Sequence, residues 1–268
     1  MTQTATSSSN TYTAYWLYQV DPAFRRLPDG EQRQAKAEFL SVLEQRPTGV
    51  KLRGSYSLVG LREDVDLMLW VIGPDLDDIQ RLAVNLRKSG LGRYLTTRQT
   101  YIGVVTAARY DPGHQAAFML NAEPKNYVSV YPFVKTTEWY LLPFEQRREL
   151  MAEHGVVGRR YAVPREKIVA ETEHDHNGKG ASGEGHSAAA ATAATAEAEE
   201  GGGVLSNTVD AFGLGDYEFI LANESDDPAE LCHMMESLRK VEVRRYTKLD
   251  TPIFLGRRKE PDEVLADL

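Results

Sequence analysis

The sequence predicts an α+β fold of two tandem ferredoxin-like βαββαβ repeats, with a flexible insertion in the second. Three observations carry this expectation. Strand-type alternation and helix-type periodicity follow one another in the same order twice along the chain. One stretch, from Pro164 to Gly203, changes composition abruptly to Ala, Gly, Glu, Ser and Thr. The remainder of the 268 residues is rich enough in apolar side chains, 42% of the whole, to bury a sizeable core.

Residues 1–10 are Ser/Thr-rich and expected to be disordered. Thr11 to Val20 alternates as a strand, and Glu31 to Gln45 reads as a helix with Phe39, Val42 and Leu43 on one side. Ser55 to Leu61 and Val65 to Gly73 read as strands paired through the charged turn Arg62-Glu63-Asp64. Asp75 or Asp77 caps a helix whose apolar positions Ile79, Leu82, Ala83 and Leu86 follow the helical period, closed by Gly90. A strand over Thr100 to Ala107 completes the first half, residues 11–109.

A linker, 110–124, leads to the second half, 125–256. Lys125 to Phe133 reads as strand and Pro143 to His154 as helix, with Pro143 suited to a first turn and Gly155 to the residue just past a helix end. Leu205 to Phe212 and Asp216 to Ala222 read as strands. Asp227-Pro228 with Glu230 starts a helix carrying Leu231, Met234, Met235 and Leu238. Strands near Val243 to Thr247 and Pro252 to Leu255 end the repeat, and 257–268 reads as a solvated tail.

The insertion, 164–203, is too poor in aromatic and β-branched residues to offset its ordering entropy. His174, His176 and His186 lie in it, but a glycine-rich setting offers no defined outer shell for a specific metal site. A net charge of −8 and a pI near 5.4 argue against nucleic acid as the main partner. No run of about twenty apolar residues and no basic-then-apolar N-terminus indicates a membrane span or secretory signal, so a cytoplasmic location is expected. A lone Cys232, read as packed on an amphipathic helix beside a surface His233, excludes an internal disulfide.

Tyr131 to Gly155 concentrates the chemistry. A phenol (Tyr131), an ammonium (Lys135), an indole (Trp139) and an imidazole (His154) fall within one strand and helix. From the residues alone, His154 serves equally as a metal ligand or as a partner of the helix dipole. On the residues alone Trp139 reads first as core packing and the arginines as solvated helix-end charge.

The run YPFVKTTEWYLLPFEQRRELMAEHGVVGRRY, with SNTVDAFGLGDYEF and LRKVEVRRY, resembles the coproheme decarboxylases of the chlorite dismutase-like superfamily, in the shorter actinobacterial type. The resemblance spans Thr11 to about Gly256 except the insertion, and implies the superfamily's α/β-barrel arrangement of the two halves. It implies that His154 of the EHG motif is the proximal haem-iron ligand and that Tyr131 of the YP motif is the residue oxidised to a radical. It also implies a distal histidine at His114, seventeen residues before Tyr131. Lys135, Trp139, Arg239 and Arg244 match positions around the porphyrin and its propionates, and Glu218, in GDYEF, is a further candidate for support on the proximal side. The arginine that marks chlorite-degrading relatives aligns with Asn207, which disfavours that activity.

The implied reaction is hydrogen-peroxide-dependent conversion of iron coproporphyrin III (coproheme) to haem b, by a homopentamer in contact with a ferrochelatase. A haem peroxidase or chlorite-degrading enzyme, and a non-enzymatic haem-carrying module, are the alternatives on the same fold. By position, the insertion is expected to gate the pocket.

Overall fold

In a computed structural model of the chain, residues 10–106, 115–164, 166–169 and 202–268 are described. The first repeat runs β1 (Tyr12–Val20), α1 (Asp29–Glu44), β2 (Lys51–Ser57), β3 (Leu67–Gly73), α2 (Leu76–Lys88) and β4 (Leu95–Val104). The second runs β5 (Tyr127–Lys135), the short α3 (Thr137–Leu141), α4 (Phe144–Tyr161), β6 (Leu205–Asp210), β7 (Phe219–Ser225), α5 (Pro228–Leu238), β8 (Thr247–Leu249) and β9 (Phe254–Lys259). A last helix, α6 (Pro261–Ala266), follows.

Within each repeat the strands take the same antiparallel order: β4-β1-β3-β2 in the first and β9-β5-β7-β6 in the second. The edge strands then join across the repeats, β2 to β9 and β4 to β6. Every edge is thereby paired, and the two sheets close into one barrel. Both seams need a missing side chain. A Cβ on Gly103 would collide with Val209 at the β4–β6 seam, and one on Gly256 would come within 2.8 Å of Tyr56 Cβ at the β2–β9 seam.

The strands that bury both faces supply two cores. The barrel interior holds Tyr15, Tyr56, Trp70 and Tyr101 from the first repeat against Val128, Val130, Ile220 and Ala222 from the second. Outside the first sheet, α1 and α2 lay Phe39, Leu43, Ile79, Leu82 and Leu86 on Trp16, Leu69 and Val71. Inside the barrel one ion pair ties the repeats together: Arg53 Nη2 lies 2.9 Å from Glu224 Oε1, with both side chains almost wholly buried. Burial holds the Glu224 carboxyl above its usual range, although Arg53, the Lys125 N–H and Asn207 all favour the anion.

Several expectations are corrected. α4 does not end at His154; it passes through Gly155 to Tyr161, because Pro164, two residues beyond its cap at Ala162, is the real stop. Val243 to Thr247 is mostly a 3₁₀ helix, Glu242–Tyr246. The tail is folded: β9 continues to Lys259 on β2, and Val264, Leu265 and Leu268 pack into the first-repeat core. Cys232 is exposed, on the outer side of α5. Both ends of the inserted segment are anchored: Ile168 packs with Ala117, Ala122 and Leu205, and the Val163 N–H donates to the Val204 carbonyl at 2.9 Å. His174, His176 and His186 lie outside the described residues.

Candidate active site

Directly paired residues in antiparallel strands point to the same side. The β5–β7 pairs Tyr131–Leu221 and Ser129–Asn223 therefore put Tyr131 and Asn223 on the outer face of the second sheet. Asn223 Nδ2 donates to the Tyr131 hydroxyl at 3.3 Å. Tyr131 is only 3% exposed, and burial pushes its phenol well above the usual range; nearby Asp250 acts in the same direction, while the Asn223 bond and Arg239 oppose it.

β6 extends this face through Thr208, opposite Leu221. Along it, residues 205, 207 and 209 are buried and 206, 208 and 210 half-buried, so Ser206 and Thr208 share the Tyr131 side. Asn207 faces the barrel interior instead. Its amide accepts from the Phe118 N–H at 3.0 Å and donates to the Ala222 carbonyl and to Glu224 Oε1 at 3.0 Å each. Asn207, the position aligned with the chlorite-type arginine, therefore does not line the Tyr131 face. The β6 residues on the Tyr131 side are thus Ser206 and Thr208, neither of them charged.

At the end of β5 the Lys135 N–H donates to Glu218 Oε2 at 2.7 Å, and the Tyr140 hydroxyl donates to the same oxygen at 2.6 Å. Lys135 Nζ sits 4.3 Å from the Trp139 ring centroid and 5.1 Å from that of Phe133. Burial lowers the Lys135 ammonium to about 8, Glu218 opposing and Arg244 reinforcing the shift. Trp139 is buried against Val241 and Val243 and so serves the core as well as covering the cation. Glu218 fixes the β5–α3 corner, a role the sequence reading did not assign to it.

Arg239, at the C-terminal cap of α5, and Arg244, in the 3₁₀ turn, converge on one carboxylate. Asp250 Oδ2 accepts from Arg239 Nη2 at 3.0 Å and from Arg244 Nη1 at 2.7 Å. Neither Asp250 nor Asn223 was picked out from sequence. The one available signal for Asp250 was a carboxylate closing the mainly cationic run from Arg239 to Lys248.

α4 carries Leu150, Met151, His154 and Val157 at i, i+1, i+4 and i+7, one stripe of the helix. Leu150, Met151 and Val157 pack toward Trp139, Val241 and Val243, so half-buried His154 lies on the inward side. Yet α4 buries none of its eighteen residues. It rests chiefly on α5 and the 3₁₀ turn. α5 covers the Tyr127 and Leu255 end of the sheet through Leu231 and Met234, while Ser206, Thr208, Leu221 and Phe133 stay half-buried. An imidazole-bearing helix, an incompletely covered sheet face with a buried phenol, and three cations at one end suit a flat, largely apolar, anionic ligand with a metal at its centre. His114 lies outside the described residues.

The sequence profile of the family described as chlorite dismutase matches residues 32–172 and 193–259. The chain belongs to the chlorite dismutase family. The break in the match between residues 172 and 193 falls within the segment read from composition as an insertion. Within the family, a coproheme decarboxylase from Mycolicibacterium smegmatis is 31% identical over 265 residues, covering 98% of this chain and 96% of that protein. The chlorite dismutase fold is shared with solved structures from Candidatus Nitrospira defluvii. A doubly substituted chlorite dismutase matches with a TM-score of 0.73 at 24% identity, covering 96% of this chain and 94% of its own. A singly substituted one matches at 0.74 and 22%, covering 97% and 95%. At those identities the likeness concerns fold alone, whereas the family profile spans Tyr131, His154, Arg239 and Arg244 together.

Proposed function

We propose that this chain catalyses the hydrogen-peroxide-dependent oxidative decarboxylation of two propionates of iron coproporphyrin III to the vinyl groups of haem b, the last step of coproporphyrin-dependent haem biosynthesis. The observation that carries the proposal is the buried Tyr131 phenol, with the Asp250-held guanidiniums of Arg239 and Arg244 nearby. Support comes also from the coproheme decarboxylase relative at 31% identity.

His154 is the proposed iron ligand, and the bound iron supplies the oxidising equivalents when it meets peroxide. His114 is the proposed base for the peroxide proton. Lys135, Arg239 and Arg244 bind carboxylate arms, the ammonium as a point charge and the guanidiniums through paired N–H groups. Trp139 supports the porphyrin edge beside Lys135. Tyr131, oxidised to its radical, removes a hydrogen atom from the β-carbon of a propionate. Loss of carbon dioxide and a second electron leaves the vinyl group. Each propionate consumes one hydrogen peroxide and one proton and yields one carbon dioxide and two waters, so the atoms and charge balance. For the second cycle, the ligand turns in the slot to bring another propionate to the phenol.

The enzyme on this reading is a cytoplasmic homopentamer that meets a ferrochelatase to receive its substrate. The test is to add purified protein to iron coproporphyrin III, titrate peroxide and follow product mass. Two successive losses of a carboxyl group with its β-hydrogen are expected. Peroxide consumption without mass loss would mark a haem peroxidase, and binding without either a haem carrier; both outcomes refute the proposal.

A further inference from the structure

The two candidate propionate arginines do not stand alone. Asp250 follows β8, which pairs with β5 at Val134–Leu249, and its side chain is about 10% exposed. Arg239 and Arg244 reach it from two different turns of the α5-to-β8 connection, and their side chains remain 43% and 35% exposed. Each guanidinium thus has one edge fixed on a buried carboxylate and its other N–H groups open. Arg244 makes a forked contact, Nη1 at 2.7 Å and Nη2 at 3.5 Å. A guanidinium carries five donors, so neither is exhausted by Asp250.

Two flexible arginines in open solvent would each lose rotamer freedom on gripping a ligand. Fixing them beforehand removes much of that cost and sets where the carboxylate must sit. Asp250 also cancels one of the two positive charges, leaving this corner with a net charge of +1. It therefore suits one carboxylate, with Lys135 available for another. β8 pairs with β5 just beyond Tyr131, at Val134–Leu249 and Lys135–Thr247, and Asp250 and Arg239 both lie within electrostatic reach of the phenol.

We infer that Asp250 is a positioning residue that aims Arg239 and Arg244 at a carboxylate arm beside Tyr131 and so makes the slot selective for porphyrins with more carboxylates. This rests on the decarboxylase reading above, but its test needs neither iron nor turnover. Metal-free coproporphyrin III, with four propionates, and metal-free deuteroporphyrin, with two, are titrated by fluorescence into wild type, Asp250→Asn and Asp250→Glu. The titrations use ~1 M salt, where the ~3 Å screening length mutes the extra positive charge.

Wild type is expected to prefer coproporphyrin. In Asp250→Asn that preference falls about tenfold, the scale of one lost charge-assisted contact, through weaker coproporphyrin binding. Asp250→Glu keeps the charge with a longer reach and is expected to retain an intermediate preference. General damage to the fold would weaken both porphyrins together. An unchanged ratio in folded Asp250→Asn overturns the inference; if that variant does not fold, a wild-type ratio in Asp250→Glu overturns it. Failure of wild type to bind either porphyrin overturns the decarboxylase reading instead.

Discussion

Asn223 donates to the Tyr131 hydroxyl across the β5–β7 pair, so the phenol oxygen is an acceptor in that bond and its own hydrogen is not spent on it. Such an orientation suits a hydrogen-atom donor and acceptor aimed at a bound ligand. Tyr131→Phe should bind iron coproporphyrin III as wild type does and yield no haem b with peroxide. The lost bond should cost about 1 kcal/mol of stability. Normal product formation by this variant, followed by mass, would rule out the proposed radical.

His154 is half-buried on the inward stripe of a helix none of whose residues is fully buried, so removing its ring should leave the fold intact. His154→Ala is expected to shift the absorption spectrum of the ferric porphyrin. Its affinity should fall at least about tenfold, the loss that even an outer-sphere partner of a metal ligand can produce. Metal-free coproporphyrin should bind unchanged. Equal weakening of the iron-containing and iron-free forms would show that His154 shapes the slot without touching the metal.

Lys135 gives the site a pH dependence whose sign follows from burial. Its ammonium is lowered from 10.5 to about 8, so the folded protein releases this proton before the unfolded chain does. Between those values the unfolded state holds more protons. The contribution to stability is therefore unfavourable below pH 8, and the penalty is relieved as pH rises toward 10.5. Carboxylate binding runs the other way, because it needs the charged form. If binding required that ammonium outright, porphyrin affinity would fall by up to about eightfold from pH 7.5 to 9, and Lys135→Gln should flatten the profile. A wild-type profile as flat as that of the variant would remove Lys135 from the binding set.

The inserted segment can be tested on its anchors. Across its root the Val163 N–H donates to the Val204 carbonyl and the Val204 N–H to the Tyr161 carbonyl, and Gly203 N donates to Glu230 Oε1 at 3.2 Å. Replacing residues 171–200 with a short Gly/Ser linker should therefore leave the melting temperature near that of wild type. If the segment gates the pocket, coproheme association and product release should both accelerate. Unchanged rates would remove the gating role.

The strand and helix order was legible because patterning by twos and by 3.6 survives in most elements, from Tyr12–Val20 to the capped helix at Asp227. Tyr131, Lys135 and His154 were legible as one local block. What escaped depended on register or on distant partners. A glycine inside a helix costs about 1 kcal/mol, which flanking packing outweighs at Gly155, so a local signal for a helix end misled. Asn207 was assigned by alignment, but its direction is set by which face of β6 meets the barrel interior. Asp250 gains meaning only where β8 pairs beside β5 and brings it under two arginines. The tail was charged enough to look solvated, yet Val264 and Leu265 complete the first-repeat core.

The Arg53–Glu224 pair is where the two repeats are most exposed to a single change. Arg53 comes from β2 and Glu224 from β7, and its carboxylate also accepts from the Lys125 N–H and the Asn207 amide. Deleting the cation leaves a carboxylate inside the barrel, held by neutral donors alone. Arg53→Ala should therefore destabilise the protein by about 3–5 kcal/mol, read from urea unfolding. Proton uptake by the orphaned Glu224 should soften the loss, making Arg53→Ala relatively less impaired at mildly acidic pH. Arg53→Met with Glu224→Gln should recover part of the stability, because it removes the buried charge while the glutamine carbonyl still accepts from the Lys125 N–H or the Asn207 amide. If the double variant is no more stable than Arg53→Ala, the pair is required for closing the barrel and is more than a tolerated burial of charge.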